Sequence, residues 1–240
     1  MCYSWRMAVR EGLTHRERLR ALTVEEIKEH GYAQIAEGGP GALSLNAIAK
    51  SMGMSGPALY RYFASREELA ATLVTDSFND LADAVTQVAA DAAAQAPADR
   101  LRAVAHGFRG WALAAPHRYR LVFGSTHGTG TLDPARIIPA ATRSMTALLS
   151  ALADLSTSPP PPVSDPILET QLKQWGARQD PDTIPVAGNL LLGLAAWTRL
   201  HGIISLEIDG FFLPVGVDPA RLYDSEIDRL ISERRAGHAP

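Results

Sequence analysis

Residues 43–63 read LSLNAIAKSMGMSGPALYRYF, and the rest of the chain is organised around them. Ser44 is a good N-cap, and Ile48, Ala49 and Met52 recur at i, i+1 and i+4, which marks one buried helix face. Gly53 falls where the chain must turn sharply, and glycine takes a positive φ there without steric cost. Ser55 opens a second helix, with Pro57 in its first turn, where the missing N–H costs nothing. Leu59 and Phe63, four apart, face a core, while Tyr60, Arg61 and Tyr62 point outward. Two short helices joined by a tight turn are the pattern of a helix-turn-helix, whose second helix is shaped to meet nucleic acid.

Upstream, Thr23-Val-Glu-Glu26 has the form of a capping box. Val24, Ile27, Gly31 and Ile35 follow at helical spacing, and Gly38-Gly39-Pro40-Gly41 ends that helix. It is expected to pack across the pair as the third member of a small core, with His30 and Tyr32 as surface or packing residues. Residues 16–20 read RERLR, and with Arg6 and Arg10 this arm holds five arginines against Glu11 and Glu17. A solvated helical lead-in is the expectation. The alternative is an arm that touches phosphates or enters the minor groove. Residues 1–13 show no periodicity and are expected to be disordered.

Downstream, Ser65 caps a long alanine-rich helix carrying Leu69, Leu73, Phe78, Leu81, Val85 and Val88 to about Ala94. Pro97 starts a helix that breaks at Ala115-Pro116, and a short one follows from His117 to Phe123. Gly124, Gly128 and Gly130 mark a loop with no preceding strand and no Lys-Ser/Thr pair, which excludes a phosphate loop. Pro134 to about Leu155 is amphipathic, Ser156–Pro162 is a polyproline spacer, and Asp165 caps a helix to about Gly176. Asp182 or Thr183 opens a helix that is apolar over most of its circumference, through Leu190, Leu194, Trp197 and Ile204 to Ile208. Its Arg199, His201 and Glu207 argue against a membrane span. Asp218-Pro219 starts a last helix with a stripe of Tyr223, Ile227, Leu230 and Ile231. No strand is expected anywhere: the fold class is all-α, a three-helix helix-turn-helix head with a larger helical body.

Composition narrows the function. Forty-six per cent hydrophobic residues in 240 suffice for a core without staples. The single cysteine, Cys2, rules out an internal disulfide and fits a reducing compartment. The net charge of −3 is unevenly spread. Through Thr75 there are nine Lys+Arg against eight Asp+Glu, leaving fourteen against eighteen of the totals of 23 and 26. A slightly positive head on an acidic body suits DNA binding at one end. MCYSWRMAVREG lacks the apolar stretch of a signal peptide, so the expected location is the cytoplasm. No His-x-x-x-His or cysteine pair has metal-ligand spacing, and no nucleophile motif is present. An enzyme is therefore not expected, nor any metal or cofactor.

The run AEGGPGALSLNAIAKSMGMSGPALYRYFASREEL resembles the amino-terminal domain of the TetR family of bacterial transcriptional regulators, closely from Thr14 to Leu73. The stretch AAWTRLHGIISLEIDGFF is similar to a subgroup of TetR-like carboxy-terminal domains marked by a Trp and a His-Gly. The resemblance implies a head at 14–68 and a ligand-binding and dimerisation body at 69–240, after the arm at 1–13. The expected DNA-binding residues are Ser44, Asn46, Ser55, Gly56, Pro57, Ala58, Tyr60, Arg61, Tyr62 and Arg66. Tyrosine hydroxyls and arginine donate to phosphate oxygens, Arg61 can read guanine bidentately, and Gly56 and Ala58 allow close backbone approach. Arg66 lies where TetR-like proteins place a phosphate-binding cation.

For the body, an aromatic-rich pocket is expected from Phe108, Trp111, Tyr119, Phe123, Trp175, Trp197 and His201. Trp197 and His201 share a face, and Gly202 is expected to allow close helix approach. A dimer interface is expected from Leu190, Leu194, Trp197, Ile204, Tyr223, Ile227 and Leu230, forming a four-helix bundle with a second copy. The function implied is a repressor that binds a near-palindromic double-stranded operator as a homodimer and is released by a small-molecule effector, without membrane partners. The alternative is a ligand-independent regulator or an activator with the same head. A helical enzyme is a remote third.

Overall fold

Side-chain caps and prolines set most of the boundaries. The computed structural model describes residues 14–124, 133–156, 159–179 and 186–236, and among the described residues there are helices and turns but no strand. The first helix, α1, is His15–Gly38, capped by Thr14: its hydroxyl accepts from the Glu17 N–H, and the Thr14 N–H donates to Glu17 Oε2 at 2.7 Å. The capping box expected at Thr23 is thereby corrected. Thr-x-x-Glu occurs first at Thr14–Glu17, the arginines between are good helix formers, and Thr23 lies inside the helix with its hydroxyl donating to the Leu19 carbonyl. At the other end Gly39, at φ 75°, returns its N–H to Ile35 O.

Then come α2 (Leu45–Ser51), α3 (Gly56–Leu59), α4 (Arg66–Asp91), α5 (Pro97–Ala114), α6 (Pro116–Phe123), α7 (Pro134–Ala153), α8 (Pro166–Gln179), α9 (Ala187–Ile208) and α10 (Pro219–Ala236). Asp133, Asp165 and Asp218 cap α7, α8 and α10 by accepting first-turn N–H groups. The expected arm at 1–13, the loop glycines at 128 and 130, and the expected cap at Asp182 or Thr183 lie outside the described residues.

Contacts divide the chain into two units. One holds the described residues of Met1–Ser77 and His117–Leu132, so it gathers α1 to α3, the start of α4, and α6. Its core is Ile27, Ile35, Leu43, Leu45, Ile48, Leu59, Phe63, Leu69 and Leu73, all buried. Gly31 is the close approach. A Cβ there would lie 3.0 Å from Leu73 Cδ1 and 3.4 Å from Leu43 Cδ1. Tyr32, expected as a packing residue, is 7% exposed and donates its hydroxyl to Leu73 O at 2.9 Å. The Arg118 guanidinium stands 4.1 Å over its ring, so α6 is fastened to α1.

The other unit is Phe78–Pro116 with Asp133–Pro240. Its central member is α9, which packs against α5, α7, α8 and α10, and that explains an apolar residue on nearly every side. By length and composition α9 could cross a membrane, yet its ionic residues are paired: Glu207 with Arg109, and Arg199 with Glu226 and Glu233. The close-packing glycine is not Gly202, which would meet nothing within 4 Å if given a Cβ. It is Gly193, where a Cβ would fall 2.3 Å from Leu149 Cδ2 on α7. Among the described residues, none closes against the side of α9 where Gly202 lies.

Tyr223 joins α10 to α5. Its side chain is fully buried, and its hydroxyl donates to the Ala105 carbonyl at 2.8 Å. Tyr223→Phe removes that donor while the Ala105 carbonyl keeps its bond within α5, so a loss of about 0.5–1.5 kcal/mol is expected. Urea unfolding checks it: the midpoint should fall with the slope unchanged.

Candidate nucleic-acid interface

The turn is built as its residues require. Gly53 has φ 65°, and the Met54 N–H reaches back to Ala49 O at 2.8 Å, a Schellman closure of α2. Ser44 caps α2 through its hydroxyl, which accepts from the Ala47 N–H at 3.3 Å, while its own N–H donates to Gln34 Oε1. Ser55 occupies the N-cap of α3 but its side chain makes no capping bond. The α-helical part of α3 is only four residues, Gly56–Leu59. Tyr60 to Phe63 continue it as hydrogen-bonded turns, with the Tyr62 N–H on Leu59 O at 2.8 Å.

On this frame the buried residues are Leu59 and Phe63, and the outward ones are Pro57, Tyr60 and Arg61, with Tyr62 half-buried. Tyr60 is 47% exposed. Asn46 is exposed on α2 beside α3, its Oδ1 3.6 Å from where a Gly56 Cβ would sit. A side chain at 56 would therefore stand against Asn46, so glycine keeps this surface low. Ala58 is half-buried alongside. Nine of the ten expected contact residues thus occupy the turn, α3 or the first turn of α2.

Arg66 is the exception. Its Nε donates to Leu43 O and its terminal nitrogen to Pro40 O, both at 2.9 Å. The guanidinium is half-buried and staples the segment before α2 to the start of α4, because carbonyls at 40 and 43 lack helix partners. A different arginine reaches the reading surface. Arg20, on α1, donates to the carbonyl of Arg61 at 3.2 Å and stands 5.0 Å over the Tyr62 ring. No spacing in the sequence pairs position 20 with 61, so only the folded arrangement reveals it.

The aromatic residues expected to share a pocket fall in both units. Trp197 and His201 stack at 4.8 Å between centroids, and Phe108 lies 6.5 Å from His201. Trp175 packs on the cluster of Leu172, Ala187 and Leu190, Trp111 is half-buried on α5, and Tyr119 and Phe123 sit on α6 in the other unit. Of the expected pocket residues, only Phe108 and Tyr119 are buried. A cleft of about 430 Å³ lies elsewhere in the body, between α4, α5 and α7, lined by Thr86, Val104, Thr142, Thr146, Ser150 and the Arg100–Asp154 ion pair at 2.9 Å, with alanines around them. The residues expected at a dimer interface also pack within this chain. Leu190, Ile204, Tyr223, Ile227 and Leu230 are buried within this chain, and Leu194 packs on the Leu172 cluster, so these side chains are spent internally.

Burial alone holds His117, in the first unit, and His201, in the second, below the ordinary histidine value of 6.5. The folded chain therefore binds these protons less readily than the unfolded one, so the contribution is fully present above pH 6.5 and falls as the pH is lowered. Thermal melts should accordingly show stability declining as pH is lowered from 6.5, and less steeply in a His201→Gln variant.

Two family models match this chain. Residues 29–73 match the one described as bacterial regulatory proteins, tetR family, and residues 101–230 match the tetracyclin repressor-like, C-terminal domain. The HTH-type transcriptional regulator Rv1816 of Mycobacterium tuberculosis (strain ATCC 25618 / H37Rv) is 32% identical over 243 residues, covering 97% of this chain and 98% of its own length. The HTH-type transcriptional regulator Mb1846 of Mycobacterium bovis has the same identity and coverage. Of solved structures, the regulatory protein SCO4313 superposes with a TM-score of 0.76 at 38% identity, over 91% of this chain and all of that one. The TetR family transcriptional regulator PfmR from Thermus thermophilus, at 18% identity and a TM-score of 0.56 over 86% of this chain and 97% of its own, shares the fold.

Proposed function

We propose that this chain, which belongs to the TetR family of bacterial regulatory proteins and is a DNA-binding transcriptional regulator, is a cytoplasmic repressor that grips a near-palindromic operator as a homodimer and lets go when a small molecule binds its body. The observation that carries the DNA half is the surface of exposed Tyr60 and Arg61 with half-buried Tyr62, beside Asn46 and Gly56, on a helix-turn-helix closed by Gly53. Arg61 is exposed and makes no ion pair with a described residue, leaving its fork for a guanine edge or a phosphate.

One head spans too few base pairs for a useful specificity ratio, which favours two heads on two half-sites. Exposed Leu206, Phe211, Leu213, Val215 and Leu222, around the connection between α9 and α10, supply apolar surface for a second copy. The cleft lined by Thr86, Thr142, Thr146 and Ser150 supports a small effector with both apolar and hydrogen-bonding parts. Coupling between the two ligands is reciprocal, so operator DNA weakens effector binding by the factor that effector weakens operator binding.

The test is selection of random duplexes on the purified protein, followed by binding across a salt series and sedimentation of the complex. An inverted repeat bound by two chains, with affinity falling steeply as salt rises, is the expected result. Recovery of no motif, or a one-to-one complex on an asymmetric site, overturns the reading.

A further inference from the structure

The first turns of α1 have no core to serve. Every residue from Thr14 to Leu22 is exposed, and the helix buries a side chain only from Ile27 onward. Yet the capping box at Thr14 starts the helix that far out. What this extension carries inward is Arg20. Its guanidinium donates to the Arg61 carbonyl and covers the face of Tyr62, touching consecutive residues of the DNA-reading segment.

Those residues need an external fastening. The segment after Leu59 is a loose run of turns, with the Arg61 N–H on Ala58 O at 3.4 Å and the Phe63 N–H on Leu59 O at 3.3 Å. A single turn of helix is not stable by itself, and its last carbonyls have no partners within it. A cation at a helix C-terminus that also bonds one of those carbonyls answers both needs. Planar stacking on Tyr62 fixes the direction from which it does so.

We infer that Arg20 is a positioning residue for sequence reading: it acts through Arg61 and Tyr62, holding the end of α3 in the one conformation that presents the Arg61 side chain to a base edge. The inference rests on the proposed operator-binding role of α3. Because the contact is solvent-exposed, it contributes little to global stability, and its effect belongs to local order and to discrimination.

Two measurements test it on the full chain. In the free protein, Arg20→Ala should raise amide hydrogen exchange in a peptide covering residues 56–63 with the melting temperature unchanged, and Arg20→Lys, which keeps the cation without the planar stack, should restore the protection only in part. On DNA, Arg20→Ala should weaken binding to the selected duplex about three- to tenfold and leave binding to a scrambled duplex, and the salt slope, unchanged. In an Arg61→Ala background the same change should cost less than it does in the wild type. Unchanged exchange across 56–63 overturns the inference whether or not an operator is found. So does an equal loss on both duplexes with the salt slope reduced by about one, which is the mark of a direct phosphate contact. If wild-type protein selects no motif, the operator-binding role fails first, and the exchange result alone decides the local fastening.

Discussion

Arg61→Ala is expected to weaken binding to the selected operator by about tenfold to a hundredfold per half-site, because a bidentate arginine–guanine pair discriminates by about 1–3 kcal/mol. The protein should fold and melt as before, since the Arg61 side chain is exposed and makes no ion pair with a described residue. Fluorescence anisotropy on the selected duplex and on single-base variants measures the loss and locates it. With Arg61 gone, the preference should relax at one position of each half-site and persist at the others. Unchanged affinity and an unchanged base preference would mean that the outward arginine is incidental, and that reading rests with Asn46. The distinction matters because Tyr60 and Tyr62 offer hydroxyls suited to phosphates, which hold register without reading sequence.

Glu207→Ala should cost the body about 2–4 kcal/mol, the largest single-residue loss expected outside the apolar core. Glu207, on α9, takes both Nε and a terminal nitrogen of Arg109, on α5, at 2.9 and 2.5 Å. The two side chains are only 13% and 18% exposed. The guanidinium also stands 5.8 Å over the Tyr223 ring, so the pair lies where α5, α9 and α10 meet. Removing the carboxylate strands a half-buried cation, whose lost partner water only partly replaces. Calorimetry should show the melting temperature lowered by about 5–10 °C for a chain of this size. Replacing both members together, as Arg109→Met with Glu207→Leu, should recover most of the loss, because the penalty comes from the unpaired charge and not from absence of the pair. A double variant as unstable as Glu207→Ala would show that the ion pair itself organises the three helices.

The head was legible because its chemistry is local. Gly53 at positive φ, Ser44 as a cap, and Leu59 and Phe63 as an inward pair each follow from a few neighbouring residues, and the fold keeps them all. Where two local solutions competed, the sequence was ambiguous: Thr14–Glu17 and Thr23–Glu26 both spell a capping box, and the earlier one won because nothing between them breaks a helix. Arg66 and Arg20 show the other limit. Both are arginines near the reading surface, and one faces inward to two carbonyls while the other bridges to Arg61. Neither partner is within helical reach along the chain.

The body was legible only as helices. An apolar α9 with Trp197, Leu200 and Ile204 announces burial, but burial against α5, α7, α8 and α10 looks the same in one dimension as burial against a second copy. The fold spends Ile204, Tyr223 and Ile227 inside the chain and leaves Phe211, Leu213 and Val215 outside. The sequence by itself therefore determined the class, the family and the helix-turn-helix, because caps, turns and helical period are interactions between residues close in the chain. Only the tertiary structure decided which arginine fastens that segment, where a cleft opens and which apolar residues stay exposed. Those depend on contacts between residues far apart in the chain, and periodicity carries no record of the partner.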